Sequence, residues 1–150
     1  MLAGLAILLG VLAAAWGVRR SSQVRPETIK PLDPYAASLT ISGLTLSEVG
    51  TGANTRSIYV DGQLQNRGNQ VLGGLIIQAV FHDANGGVVR LQTLPLPLIR
   101  TREPYVDLEP ISAEPLKPGE SRDFRLIFES IPEAWDVKAP EIRAVRSVTQ

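Results

Sequence analysis

The chain opens with MLAGLAILLGVLAAAWGV, eighteen residues without a charged side chain, and Arg19-Arg20 follow at once. An apolar helix of about 17–20 residues spans ~30 Å of hydrocarbon, so residues 1–18 predict one transmembrane helix at the short end of that range. Leu5, Leu8, Leu9 and Leu12 supply hydrophobicity. Trp16 falls where an interfacial aromatic belongs, and Arg19 and Arg20 reach the headgroups. Gly10 and Ala14 form a small-xxx-small pair suited to packing on another helix, although small residues are common in such helices whatever they face. A cleaved signal peptide is the competing reading, with Ala13-Ala14-Ala15 as its cleavage site. No basic stretch precedes the run, which favours a retained anchor.

The anchor makes membrane lipid and one or more integral membrane proteins the expected partners. Its orientation is in conflict. Arg19, Arg20, Arg25 and Lys30 all follow the run, and the positive-inside rule would leave the domain in the cytoplasm. Anchors of this kind usually export a β-sandwich, so we expect the domain on the periplasmic side. The absence of cysteine fits either compartment and excludes a lipidated cysteine. Fifteen basic and fifteen acidic side chains balance to zero net charge, and the arginines are dispersed, which argues against nucleic acid as a partner.

Residues 19–37, RRSSQVRPETIKPLDPYAA, read as a proline-spaced linker able to reach ~50 Å at ~3 Å per residue. Residues 38–150 read as one domain. From Leu39 the apolar period becomes two. Leu39 and Ile41 occupy one parity and Leu44 and Leu46 the other, so a β-bulge is expected at Ser42-Gly43. Further strands are expected at 58–65, 75–81, 88–94, 105–111, 124–129 and 142–148. Ile76 and Val80 make the 75–81 strand apolar on both faces and therefore central. Pro95 and Pro97 confine the stretch around Leu96 and Leu98 to an edge or irregular connection. Seven short strands at this spacing predict an all-β, immunoglobulin- or fibronectin-III-like antiparallel sandwich behind one N-terminal transmembrane helix.

Three punctuation marks follow one another: Val60-Asp61-Gly62-Gln63-Leu64-Gln65-Asn66, then Phe81-His82-Asp83-Ala84-Asn85-Gly86-Gly87-Val88-Val89, then Leu116-Lys117-Pro118-Gly119-Glu120 leading into Phe124. In this order they resemble the FxLYD, DUF3426 and DUF2393 group of bacterial domains. The tail Phe128–Trp135 with Pro140-Glu141-Ile142-Arg143 is most similar to DUF2393. The resemblance covers residues 38–148. It implies a single N-terminal membrane helix and supplies no catalytic residue. Each mark also has a local reason. Gly62 leaves room for a neighbour, Asn66 bonds its own turn, and Pro118-Gly119 suits a type II turn.

No enzyme is expected. His82 is the single histidine, so zinc or copper sites of N/S type and a Ser–His–Asp triad lack their parts. Asp83 and Asn85 fit a hairpin turn better than a Ca²⁺ loop. No phosphate-binding or dinucleotide motif occurs, and no cofactor is expected. Candidate interface residues are Leu96 and Leu98 as an exposed apolar strip, Arg100 and Arg102 on its charged rim, and Trp135, which otherwise packs in the sandwich base. The expected function is a non-enzymatic accessory or assembly subunit of a larger bacterial membrane complex, of which respiratory and photosynthetic complexes are examples. The alternative is an independent cell-envelope module that binds a peptide, glycan or lipid.

Overall fold

Among the described residues, period-two alternation builds eight antiparallel strands: β1 (Leu39–Thr51), β2 (Thr55–Asn66), β3 (Leu72–His82), β4 (Val88–Pro95), β5 (Pro97–Thr101), β6 (Asp107–Pro110), β7 (Ser121–Phe128) and β8 (Glu141–Thr149). The computed structural model describes residues 27–51 and 55–150. Leu5, Leu8, Leu9, Gly10, Leu12, Ala14, Trp16, Arg19 and Arg20 lie outside the described residues. Among the described residues no helix is long and apolar enough to cross a membrane.

The strands form two sheets, ordered β1-β2-β7-β5-β6 and β4-β3-β8. Their inner faces share one core, with Ile58, Val60 and Phe124 from the first sheet against Ile77, Ala79 and Phe81 from the second. β3 is central in its sheet, as its two apolar faces predict. Phe81 meets Phe128 edge-on at 5.0 Å between ring centroids and Trp135 at 6.0 Å. Trp135 is thus a core residue, and its indole N–H donates to the Lys138 carbonyl at 3.0 Å.

The sequence pattern predicts seven strands, and the structure corrects this to eight among the described residues. Leu96 and Leu98 are also corrected: they are 2% and 0% exposed and form no surface strip. The prolines explain both differences. Pro95 ends β4 and Pro97 begins β5, so the missing N–H groups fall at strand ends, where they cost little. Between them the chain passes from one sheet to the other and carries Leu96 into the core, with its N–H donating to the Leu75 carbonyl at 2.9 Å.

The expected bulge is present. The register of β1 on β2 shifts between Ser42 and Thr45, and Gly43 takes φ +63. The extra residue keeps Ile41, opposite Leu64, on the same face as Leu46, opposite Val60. Gly62 is the close-approach glycine. It faces Phe124 across the ladder, and a Cβ there would lie 2.6 Å from the Phe124 ring. Asn66, 0% exposed, closes the end of β2. Its Nδ2 donates to the carbonyls of Gln70 and Leu116, and its Oδ1 accepts from Tyr35 Oη and the Gly68 N–H. Its backbone carbonyl accepts from Gly119, which takes φ +83 in the turn leading to β7. Asp83 holds the β3–β4 hairpin, accepting from the N–H groups of Asn85 and Gly87.

Gly62→Val is expected to lower unfolding free energy by about 1–3 kcal/mol through overpacking against Phe124. Gly50→Ala, with open space around it, is the control. Urea denaturation of both variants checks this.

Candidate functional site

Two features adjoin the three-stranded sheet: a strap of chain that crosses its outer face, and an apolar groove at the end of β3 and β4 where that sheet meets β6. The strap is residues 27–33, part of the stretch read from sequence as a linker. Gln78 lies in register with Thr93 on β4 and Arg143 on β8. All three side chains of that row bond the strap. Thr93 Oγ1 donates to the Glu27 carboxylate. Gln78, 0% exposed, uses both ends of its amide: Oε1 accepts from the Lys30 N–H at 2.9 Å and Nε2 donates to the Thr28 carbonyl at 2.7 Å. Arg143 donates to the Lys30 carbonyl at 3.2 Å.

At its far end the strap closes the free edge of β8. The Asp33 N–H donates to the Ala144 carbonyl at 2.9 Å, and the Asp33 carboxylate accepts from the Ser147 N–H at 3.0 Å and hydroxyl at 2.6 Å. Asp33 also accepts from the Tyr35 N–H, capping the 3-10 turn Pro34–Ser38 that leads into β1. Desolvation raises the Asp33 pKa, but the hydrogen bonds from Ser147 and Tyr35 outweigh it and hold the carboxyl below its ordinary value.

The groove lies two residues farther along β4. It measures about 420 Å³ and is formed where the start of β3, the β4–β5 corner, β6 with the turn after it, and the end of β8 meet. Gly73 and Gly74 leave it open, Ile76, Pro95 and Val148 line it from the strapped sheet, and Leu108 and Ile111 from the other side. Its charged lining group, Glu109, is already held by Arg122 at 2.7 Å.

The expected interface residues are not brought together. Leu96 lines the groove from a buried position, Leu98 lies in the core, and Trp135 packs on Phe81. Arg100 and Arg102 are exposed, paired with Asp107 and with Asp123 at 2.8 Å. The Asp107 hydrogen bond, then its charge, raises the Arg100 pKa. Both arginines belong to a charged surface that includes Arg125 on Asp61, at 2.7 and 2.8 Å. Among the described residues no group of three or more His, Cys, Asp or Glu side chains could hold a metal.

Sequence reasoning missed the strap and the groove. The signal for the strap was one glutamine inside the apolar run 75–81. The signal for the groove was Gly73-Gly74 facing prolines at 95, 97 and 110.

Gln78→Ala in the full chain is expected to release the strap and leave the core intact. Hydrogen exchange at the Lys30 amide should then rise toward the unprotected rate while β2 amides stay slow. The Asp33 pKa is depressed, so its contribution to stability is present above about pH 4 and lost as pH falls through the folded-state value. Melting curves between pH 6 and pH 3 should therefore fall, and fall less for Asp33→Asn.

No curated protein matches the chain. The solved structure of a Bordetella pertussis protein described as ApaA is similar at 14% identity and a TM-score of 0.37, covering 81% of this chain and 95% of that one. The family model DUF2393, a protein family of unknown function, matches residues 38–144, from the turn before β1 into β8. This chain belongs to the DUF2393 family.

Proposed function

We propose that the chain is a single-pass, membrane-anchored accessory subunit of a larger membrane complex, acting by binding and not by catalysis. The docked strap carries this reading. The chain coming from the apolar run reaches the sandwich at Thr93 and is bonded to it from residue 27 onward. Only residues 19–26 stand between the apolar run and the strap. Eight residues span at most about 28 Å fully extended. With residues 1–18 in the bilayer, the domain is a short-leashed module beside the headgroups, placed to meet neighbouring membrane proteins. Gly10 and Ala14 would pack on a partner helix. The expected side is periplasmic.

The strand order also supports the immunoglobulin-like reading. β1-β2-β7-β5 facing β4-β3-β8 follows strands A-B-E-D facing C′-C-F, with β6 added and no counterpart of the last strand among the described residues.

Native membranes dissolved in mild detergent and run on a native gel test the proposal. Comigration with a defined large complex, identified by mass spectrometry, is expected. Migration near monomer size would overturn the subunit reading in favour of an independent envelope module.

A further inference from the structure

We infer that the groove at Gly73-Gly74 takes one acyl chain of a membrane phospholipid, with Arg146 placed for the phosphate. The inference rests on the anchored reading above.

Place is the first argument. The strap enters the sandwich at Thr93, and Pro95 of the groove is two residues along the same strand, about 7 Å away. The groove is therefore next to the point at which the chain arrives from the apolar run. An anchor at residues 1–18 with eight residues to the strap keeps this groove within reach of the headgroups.

The lining is the second argument. Ile76, Pro95, Pro110, Ile111 and Val148 present carbon, and Val148 remains 52% exposed. A polypeptide laid in such a trough would bury its own N–H and C=O groups, each needing a hydrogen-bond partner. The groove offers few: Glu109 is committed to Arg122. A hydrocarbon chain makes no such demand, and a groove of about 420 Å³ is within the ordinary range for a small-molecule site.

Charge is the third argument. In the β3–β8 ladder Arg146 stands opposite Ile76, so the two share the sheet's outer face. Arg146 is exposed and, like Arg67 and Arg90, forms no ion pair among the described residues, whereas Arg100, Arg102, Arg122 and Arg125 are each committed to a carboxylate. An apolar trough with a free guanidinium at its side matches a phospholipid in both parts, chain and phosphate.

The full chain in nanodiscs of phosphatidylcholine and phosphatidylglycerol, with a phosphatidylcholine carrying a diazirine in its tail, tests this. After illumination, lipid adducts are mapped by mass spectrometry. Adducts are expected in two places: within residues 1–18, and within 73–76, 95–97 or 108–112. Gly74→Trp should abolish the groove adducts and keep those of residues 1–18. A Cβ at Gly74 meets only the Val148 side chain, at 3.5 Å, so the variant is expected to fold. Arg146→Glu should reduce the groove adducts without touching the others. Adducts confined to residues 1–18 would overturn the groove assignment and leave the anchor standing. Groove adducts that survive Gly74→Trp would overturn it too. An absence of adducts anywhere would overturn the anchored reading and this inference with it.

Discussion

The buried amide of Asn66 is the junction on which the sandwich depends. An asparagine side chain has two donors and room for two acceptor bonds, and all four are used here. They reach the turn before β1 through Tyr35, the β2–β3 turn through Gly68 and Gln70, and the approach to β7 through Leu116. The Asn66 backbone adds bonds to Gly119 and Glu120. One residue therefore ties the end of β2 to three other segments at this end of the molecule. The same burial that makes these bonds strong makes any unpartnered member costly, so the network holds one geometry.

The remaining stability problem is the sheet edges, and three of the four, β6, β1 and β8, carry different devices. β6 is four residues long and ends in Pro110. β1 is bent by the Gly43 bulge. On the outer side of β8, Asp33 occupies an outward carbonyl and an outward N–H with its own backbone and carboxylate. An unpaired edge attracts other strands, and these features blunt that tendency. The strap that supplies Asp33 also covers Gln78, so edge protection and the satisfaction of a buried amide come from one short piece of chain.

Much of the fold was legible because its signals are local. The parity slip from Ile41 to Leu44 has one physical remedy, a bulge, and the glycine at 43 stands at it. Ile76 and Val80 opposite the inner face marked β3 as central. Asn66, Asp83 and Pro118-Gly119 announced turns through chemistry that acts within four residues. What the sequence hid is nonlocal. Prolines at 95 and 97 read as strand breakers, yet at strand ends they turn the chain into the second sheet and bury Leu96. Residues 27–33 carry prolines and charges, the composition of a linker, and their attachment depends on Gln78, about 50 residues away in the chain. The groove is assembled from four separated segments, none of which signals it alone.

The strap also has a direction. It runs across β4, β3 and β8, at right angles to the ladders that hold those strands together. A load applied from the N-terminal side would reach the bonds at Thr93, then Gln78, then Arg143, then Asp33, one after another. Bonds loaded in sequence peel, whereas the ladders of a sheet pulled along its strands share the load and resist together. Under tension the strap would give way first, adding chain length before the sandwich itself carried force. The segment that holds the domain close is thus also its slack.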